Sequence, residues 1–242
     1  MTLLIDIGNS RTKYILADLI DSNNSRVIDN DCIDVNWLDD NLRLADKILI
    51  SCVSSNAILT LIINWANINV IEVKVIESEA SRYGLVSFYQ QPKKLGVDRW
   101  LAMIGALSLY SGKNILIVDA GTATTIDLVS ASGQHHGGWI LPGINLMIDS
   151  LLANTSKIEA NKDVKPSLSF GDNTNTNVNN GCWGATIGAI NLAMTQASKE
   201  LGSIDEILLT GGNARYIKAL LDDKSIIEDN LILHGLQRYK LN

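Results

Sequence analysis

The sequence predicts an α/β protein that is built from two similar halves. An apolar strand opens the chain and runs into Asp6-Ile7-Gly8-Asn9-Ser10-Arg11-Thr12-Lys13, and a second apolar strand runs into Asp119-Ala120-Gly121-Thr122-Ala123-Thr124-Thr125-Ile126-Asp127. Each copy places an aspartate at the exit of a strand, followed by a glycine and by small residues that can donate hydrogen bonds. Around both copies, short apolar runs alternate with segments of helical periodicity, which is typical of α/β layering.

The first half begins with two strands, at 2–7 and 12–19, that are joined by a Gly-Asn-Ser-Arg turn. The elements predicted next are a hairpin loop at 21–25, a strand at 47–52, a helix at 56–66 and a strand at 70–76. The segment 96–110 has no interior proline and keeps an apolar face, which predicts a helix that ends near Gly112. Asp98 and Arg99 fall in its first turn, where the helix macrodipole favours an aspartate.

The second half repeats the strand–turn–strand plan, starting with a strand at 114–118. The elements predicted next are the run Gly137-Gly138-Trp139-Ile140-Leu141-Pro142-Gly143, a helix toward Leu152, a long helix from about 183 to 201, a strand at 206–209 that ends in Thr210-Gly211-Gly212-Asn213, and a helix through Leu221. The asparagine-rich composition of 171–180 favours a solvated loop before the long helix. We therefore predict an N-terminal domain over 1–112 and a C-terminal domain over 113–242.

Composition limits the classes of function. Hydrophobic residues make up 46% of the 242-residue chain and charged residues 19%, as in globular proteins and unlike disordered ones. The net charge of −6 would repel a phosphate backbone, which argues against a nucleic-acid partner. No apolar run has the length of a membrane span and no signal sequence opens the chain, so we expect a cytoplasmic protein with no membrane partner.

The cysteines and paired histidines are weak functional signals. Cys32, Cys52 and Cys182 have no metal-like spacing and are predicted to be buried free thiols. His135 and His136 have no third ligand nearby in the sequence, which favours a solvated hairpin over a metal site.

The two Asp-x-Gly turns indicate that the protein handles a nucleoside triphosphate. Such a ligand needs hydrogen-bond donors around its phosphates and carboxylates near its metal ion, and both turns supply both. The glycine spacing is neither GxxxxGK[ST] nor GxGxxG, which argues against P-loop ATPases and Rossmann dehydrogenases. The sequence therefore predicts two phosphate-binding turns that face each other.

Four motifs occur in order over nearly the whole chain: Asp6-x-Gly-Asn-x-x-x-Lys13, Gly96-Val-Asp-Arg99, Asp119-x-Gly-Thr-Ala-x-Thr-x-Asp127 and Gly137-Gly-x-Ile-x-Pro-Gly143. This set resembles the type III pantothenate kinases, which belong to the acetate kinase, sugar kinase, Hsp70 and actin superfamily. The resemblance implies two duplicated actin-like, ribonuclease H-like domains with mixed sheets and with ATP in the cleft between them. It also implies a homodimeric enzyme that phosphorylates pantothenate to 4′-phosphopantothenate, the first step of coenzyme A biosynthesis, and that depends on a monovalent cation.

The resemblance assigns the ATP and cation contacts. ATP would be bound by Asp6, Ile7, Gly8, Asn9, Ser10, Arg11, Thr12, Lys13 and Thr122. Asp6 would lie near the metal–phosphate cluster, with Mg²⁺ brought in by ATP. Asp119 is similar in position to the family's ligand for a monovalent cation, either K⁺ or NH₄⁺. A carboxylate and neighbouring carbonyl oxygens suit such a hard cation.

The resemblance also assigns the substrate contacts, which would be Tyr89, Gly96, Val97, Asp98, Arg99 and Thr174. Asp98 matches the catalytic base, and Arg99 would hold the pantothenate carboxylate through charge-assisted hydrogen bonds. Thr174 aligns with the threonine of a family Thr-x-x-Ala-Ile pattern, but Asn177 and Val178 replace the alanine and the isoleucine. Thr176 is therefore a rival. Because the family is dimeric, the threonine could serve the active site of the neighbouring subunit.

Two other functions stay open at this stage. The first is a kinase of the same superfamily that acts on another small acceptor, such as a sugar or an amino sugar, and competition among acceptors would decide between them. The second is a nucleotide-binding accessory or regulatory protein, because relatives of the family were once described as transcription accessory factors. The retained carboxylates Asp6, Asp98 and Asp119 argue against an inactive scaffold, and the acidic charge argues against DNA contact.

Overall fold

The computed structural model describes residues 1–22, 24–54, 56–154, 161, 164–221 and 224–241. The chain divides into two compact units: the first combines Met1–Ser111 with the segment that begins at Asn230, and the second is Gly112–Asp229. No helix in the described part of the chain is long and apolar enough to cross a membrane.

The strands, in chain order, are β1 (Thr2–Ile7), β2 (Arg11–Leu16), β3 (Arg26–Asp29), β4 (Lys47–Cys52), β5 (Glu72–Val75), β6 (Ser81–Arg82), β7 (Leu85–Val86), β8 (Ile115–Ala120), β9 (Ala123–Val129), β10 (His135–Pro142), β11 (Glu206–Thr210) and β12 (Ile226–Ile227). The helices are α1 (Val35–Leu42), α2 (Asn56–Ile68), α3 (Val97–Leu109), α4 (Ile144–Asn154), α5 (Thr174–Leu201), α6 (Ala214–Leu220) and α7 (Leu231–Arg238). Short 3₁₀ segments lie at Ala17–Ser22, Asn30–Cys32, Pro92–Lys94 and Tyr239–Leu241.

Each unit is built on a five-stranded mixed sheet with the same plan. The strand order is β3-β2-β1-β4-β5 in the first unit and β10-β9-β8-β11-β12 in the second. In both sheets the central strand pairs antiparallel with the strand that follows it in the chain and parallel with the strand on its other side. The duplication and the mixed α/β architecture predicted from the sequence are confirmed.

The two faces of β1 have different surroundings. Its residues Leu3, Ile5 and Ile7 belong to a buried cluster that includes side chains of α1 and α2. Because side chains alternate along a strand, Leu4 and Asp6 lie on the opposite face. Helix α7 contacts β1 and α3 contacts β4, and neither helix contributes to the cluster on the first face. The fold therefore places Asp6 on the same face of the sheet as α3.

The C-terminal segment belongs to the first unit because α7 packs closely on α3. At their crossing, a Cβ on Gly105 or on Gly235 would lie 2.1 Å from a carbonyl oxygen of the other helix, so only glycine permits this approach. Trp100 Nε1 also donates a hydrogen bond of 3.0 Å to the Tyr239 hydroxyl. The predicted division assigned this segment to the domain over 113–242, and the structure corrects that assignment from Asn230 onward.

The predicted loop over 171–180 is wrong, because α5 begins at Thr174. Asn173 and Thr176 form a reciprocal capping box: the Asn173 side chain accepts from Thr176 N at 3.0 Å, and the Thr176 hydroxyl accepts from Asn173 N at 3.3 Å. Asn179 is only 1% exposed, and its amide donates to the carbonyl oxygen of Asn175 at 3.0 Å. Capping and internal hydrogen bonds thus stabilise a helix whose composition resembles that of a loop.

Elsewhere in the first unit, the strand predicted at 12–19 ends at Leu16 and continues as a 3₁₀ segment. The stretch 21–25 connects that segment to β3, although its Asn23 lies outside the described residues. Strand β3 was not predicted. It returns antiparallel to β2 and brings Asn30 beside the turn between β1 and β2.

The cysteine and histidine predictions hold only in part. All three cysteines are free, but Cys182 is buried whereas Cys32 is exposed. His135 does not lie in a solvated hairpin: it is fully buried, and its Nε2 is 3.0 Å from Asp127 Oδ1. His136 Nδ1 lies 2.7 Å from Glu200 Oε1. Among the described residues, no three His, Cys, Asp or Glu side chains form a group that could hold a metal ion.

Candidate active site

Asp6 lies near the carboxyl end of β1, directly opposite Lys13 on β2 and Ser51 on β4. Its Oδ1 is buried and has no hydrogen-bond partner among the described residues. The pKa of Asp6 is raised from 3.8 to about 6, chiefly by burial. The Ser51 hydroxyl lowers this pKa, although that hydroxyl is not in regular hydrogen-bond geometry. Asp98 raises the pKa further, and Lys13 lowers it. The ionised carboxylate is thus poorly compensated, and a cation would stabilise it.

The chain between β1 and β2 comprises residues 8–10, and together with Arg11, the first residue of β2, it is called here the β1–β2 turn. Gly8 N donates to Arg11 O at 2.9 Å, and a Cβ on Gly8 would lie only 3.0 Å from that oxygen. The side chains of Asn9 and Ser10 are exposed at the tip of the turn. The turn therefore presents polar groups and backbone to solvent, as a phosphate-binding loop requires.

Three of the predicted ATP-binding residues have side chains that lie in the core or contact other parts of the protein. Ile7 is fully buried in the core, so only its backbone could reach a ligand. The Thr12 hydroxyl is buried and donates to Asn30 Oδ1 at 2.8 Å. Arg11 Nε lies 3.1 Å from Asp29 Oδ1 at an exposed position. The side chains of these residues already make internal contacts or lie in the core.

Asp98 lies in the first turn of α3, as predicted from the sequence. Its Oδ1 accepts a hydrogen bond of 2.7 Å from Arg99 N. A Cβ on Gly96 would lie 2.6 Å from the same oxygen, so glycine at this position leaves room for the carboxylate. Val97, partly exposed, is the first residue of the helix. Asp98 also raises the pKa of Asp6, which places the two carboxylates within electrostatic reach of each other.

The predicted substrate residues Tyr89 and Arg99 meet in the structure. Arg99 is 5% exposed, and its Nη1 donates to the Tyr89 hydroxyl at 2.8 Å. The guanidinium carbon lies 5.7 Å from the centre of the Tyr89 ring. Ser87 Oγ accepts from Tyr89 N at 3.2 Å, which helps to orient the tyrosine backbone. A buried guanidinium held by an aromatic hydroxyl suits the binding of a carboxylate.

The second unit has a turn that corresponds to the β1–β2 turn: residues 121–122 join β8 to β9 and are called here the β8–β9 turn. Asp119 is the fifth residue of β8 and pairs with Thr210 of β11. The backbone at Gly211 has a φ of +85°, and a Cβ there would lie 2.5 Å from Asp119 Oδ1. Gly143 N donates to Thr122 O at 3.0 Å, and a Cβ on Gly143 would lie 2.4 Å from that oxygen. Two glycines thus let backbone approach Asp119 at the end of β8 and Thr122 in the turn that follows.

Thr174 is the first residue of α5 and lines a groove of about 860 Å³ between α4 and α5. The groove is largely apolar and includes Leu146 and Leu151, which are 49% and 40% exposed. The Thr176 hydroxyl takes part in the capping box with Asn173. Of the two rival threonines, Thr174 therefore faces the groove, whereas Thr176 has a structural contact.

Two residues beside the β1–β2 turn were missed by sequence reasoning. Asn30 contacts this turn from the end of β3, and Ser51 lies beside Asp6 at the end of β4. An asparagine after a strand and a serine at a strand end are common in any protein, so neither carried a signal. Only the order of the strands in the sheet reveals their positions.

The fold and the site define a class of protein. Two sheets of identical strand order, each with an aspartate near the end of its central strand and a glycine turn after it, are the plan of an actin-like fold. Among solved structures, the chain is similar to a putative 2-dehydro-3-deoxygalactonokinase from Sinorhizobium meliloti, with a TM-score of 0.59, 13% identity and coverage of 98% of this chain and 97% of that one. It is also similar to a putative Baf family transcriptional activator from Campylobacter jejuni, with a TM-score of 0.63, 25% identity and coverage of 98% and 96%.

Sequence relatives narrow this class to one family. The family model for type III pantothenate kinases matches residues 2–196. The chain is 41% identical to the type III pantothenate kinase of Colwellia psychrerythraea, over 99% of this chain and 100% of that protein. It is 35% identical to that of Pseudoalteromonas translucida, over 98% and 94%. The chain therefore belongs to the type III pantothenate kinase family, a family of phosphotransferases that act in coenzyme A biosynthesis, and the resemblance of the four motifs is confirmed.

Proposed function

We propose that the protein transfers the γ-phosphoryl group of ATP to the primary hydroxyl of pantothenate, giving 4′-phosphopantothenate and ADP. The observation that carries this proposal is the grouping around α3 in the first unit. Asp98 lies within electrostatic reach of Asp6 beside the β1–β2 turn, and the next residue, Arg99, is buried against Tyr89. A candidate phosphate-binding turn, a candidate base and a candidate carboxylate site thus lie around one helix.

In this mechanism Asp98 orients the pantothenate hydroxyl and accepts its proton as the new bond between oxygen and phosphorus forms. The bond between the γ-phosphorus and its bridging oxygen breaks, and ADP leaves. Phosphoryl transfer has a loose transition state in which the nucleophile needs little activation, so positioning and charge neutralisation contribute most. A hydrogen bond of 2.7 Å from Arg99 N to Asp98 Oδ1 helps to hold the carboxylate in place.

Arg99 and Tyr89 are proposed to bind the carboxylate of pantothenate. The guanidinium is already oriented by the Tyr89 hydroxyl, so less conformational freedom is lost when the carboxylate binds. Gly96 and Val97 would lie beside the substrate as neighbours of the base. We expect Tyr89→Phe to raise KM for pantothenate while leaving KM for ATP close to that of the wild type.

Asp6 and Lys13 are proposed to act on the metal–phosphate part of ATP, together with the exposed tip of the β1–β2 turn. The buried Oδ1 of Asp6, which has no hydrogen-bond partner among the described residues, fits a role near Mg²⁺. Mg²⁺ would neutralise charge on the phosphates, and Lys13 would contribute a further positive charge.

Asp119 is proposed to hold K⁺ or NH₄⁺, and Thr122 to contact ATP. The donor chemistry fits a hard monovalent cation, because the Asp119 carboxylate and the Ala120 carbonyl oxygen both lie beside the backbone at Gly211. The cation would supply positive charge near the phosphates. Dependence of activity on this ion belongs to the proposal.

The enzyme is also proposed to be a homodimer in which Thr174 contributes to a substrate pocket. Support comes from the apolar groove that Thr174 lines and from the edge strand β10, on which Trp139 and Ile140 are 39% and 64% exposed. The cytoplasmic location stays a prediction.

The test is an assay of pantothenate phosphorylation by the purified protein, with ATP and Mg²⁺ present and with K⁺ either supplied or replaced by Na⁺. Product that depends on K⁺ supports the reaction and the role of Asp119 together. Product in both salts supports the reaction and removes the cation role. If folded protein that still binds ATP gives no product in either salt, pantothenate is refuted as the acceptor. A panel of sugars and amino sugars then tests the hypothesis of a kinase that acts on another small acceptor.

One observation favours a second candidate function. The structural likeness to a protein described as a putative transcriptional activator keeps a regulatory role open. ATP binding without transfer to any acceptor would support it, although the net charge of −6 argues against direct DNA contact.

A further inference from the structure

We infer that Asn30 is a positioning residue that holds the β1–β2 turn in the conformation that binds phosphate. The inference rests on the proposed role of this turn in binding ATP. Asn30 lies 22 residues after Gly8 in the chain and is partly buried. It is not among the residues that the motifs point to.

Asn30 binds every residue of the turn's tip through hydrogen bonds. Its Nδ2 donates to Gly8 O at 2.9 Å and to Asn9 O at 3.2 Å. Its backbone N donates to Ser10 O at 3.0 Å. Its Oδ1 accepts from the Thr12 hydroxyl at 2.8 Å. Both donors and one acceptor position of the side-chain amide are therefore used on the turn and on the strand that follows it.

These bonds fix the direction of the backbone amides. In a planar trans peptide, the C=O of one residue and the N–H of the next point in opposite directions. Because the carbonyl groups of Gly8, Asn9 and Ser10 point toward Asn30, the N–H groups of residues 9, 10 and 11 point away from it. Consecutive N–H groups with a common direction form a concave donor surface that suits a phosphate.

The strand order explains why Asn30 can act in this way. Strand β3 pairs antiparallel with β2, with Asp29 opposite Arg11, so the residue that follows β3 lies beside the turn. An amide is suited to this position, because a carboxylate would face the carbonyl oxygens of Gly8 and Asn9 without a donor.

The experiment compares wild type, Asn30→Ala, Asn30→Asp and the control Asn41→Ala. Asn41 is also in the first unit and partly buried, donates to Trp37 O at 2.9 Å and accepts from the Tyr14 hydroxyl at 3.1 Å. The control therefore loses a similar set of side-chain hydrogen bonds away from the turn. Measurements are KM for ATP, KM for pantothenate, kcat, the Kd of ATP by calorimetry, and hydrogen–deuterium exchange of residues 8–11.

We expect Asn30→Ala to raise KM and Kd for ATP by about tenfold, because turn carbonyls lose their donor and the amides lose their common direction. KM for pantothenate should change little, and exchange over 8–11 should become faster. Asn30→Asp removes the donors, keeps an acceptor for Thr12 and adds a negative charge, and it should also weaken ATP binding. The same loss in the neutral Asn30→Ala shows that the added charge is not the cause. Asn41→Ala should leave all three kinetic constants close to those of the wild type.

Other outcomes separate this inference from the proposed function. Both Asn30 variants could bind ATP like the wild type, or could lower only the apparent kcat because less of the protein is folded. In either case Asn30 contributes only to the stability of the fold, and the inference is wrong. If the wild type does not phosphorylate pantothenate, the proposed function fails, and the Kd of ATP still decides the role of Asn30.

Discussion

Asp6 should make the stability of this protein depend on pH. Its carboxyl pKa is raised from 3.8 to about 6 in the folded chain, chiefly by burial. Below pH 3.8 the group is protonated in both the folded and the unfolded state, so its burial as a neutral acid carries no ionisation cost. As pH rises from there to about 6, the unfolded chain loses the proton first, and the free energy of unfolding falls.

The magnitude follows from the size of the shift. A change of one pKa unit corresponds to 1.36 kcal/mol, so the shift of about two units lowers the free energy of unfolding by about 3 kcal/mol once the pH exceeds 6. Asp6→Asn removes this titration while keeping a similar side-chain volume. Part of this effect is already present at pH 4, where the unfolded carboxyl is partly ionised, so the stability of the variant relative to the wild type should increase by about 2 kcal/mol between pH 4 and pH 7.

Urea unfolding of both proteins at several pH values between 4 and 7, followed by tryptophan fluorescence, measures this difference. All other titrating groups are present in both proteins, so their contributions cancel to first order. Asp21→Asn, at an exposed position, controls for the loss of one negative charge. If the wild-type and Asp6→Asn stability curves run parallel over this range, the argument that burial dominates at Asp6 is refuted.

Four further predictions concern the base, its placement, the packing of helices and a helix cap. Asp98→Asn removes the proton acceptor but keeps an oxygen that can accept the 2.7 Å hydrogen bond from Arg99 N. In steady-state assays kcat should therefore fall by about a hundredfold or more, while ATP affinity stays near that of the wild type; equal losses in both would make Asp98 structural. Gly96→Ala should also lower kcat, because its Cβ would lie 2.6 Å from the Asp98 carboxylate, and an unchanged kcat would show that this placement is not needed. Gly105→Ala should cost about 3 kcal/mol or more, because its Cβ would lie 2.1 Å from an α7 carbonyl, whereas Gly188→Ala in α5 meets open space and should be neutral or slightly stabilising in urea unfolding. Asn173→Ala should cost about 1 kcal/mol by loss of the α5 cap, and an unchanged midpoint would contradict the capping box.

The buried strands were the most predictable part of the fold. Strands β1 and β4 begin and end at the predicted residues 2–7 and 47–52. Each is a short apolar run that pairs in parallel and is bounded by polar residues or glycine, so the pattern is local and strong. Helix α3 was also predictable, because its apolar face and its N-terminal Asp98 lie within one window.

Elements whose stability comes from specific contacts were less predictable. The start of α5 depends on the reciprocal bonds of Asn173 and Thr176, while the average composition around them is that of a loop. The docking of α7 depends on Gly105 and Gly235, which are far apart in the sequence and meet only because the chain returns to the first unit. Burial of His135 against Asp127 likewise depends on the pairing of β9 with β10.

The sequence by itself determined the duplicated strand–turn plan, the four motifs and, through them, the family. These features are encoded in short windows, where apolar periodicity, glycine and the local placement of polar residues act over a few positions. Only the tertiary structure decided that Tyr89 holds Arg99, that Asn30 holds the β1–β2 turn, that burial raises the pKa of Asp6, and that the C-terminal helix returns to α3. The physical reason is that these effects arise between residues brought together by the path of the chain. Trp100 and Tyr239, for example, are 139 positions apart, and no local pattern specifies such a meeting.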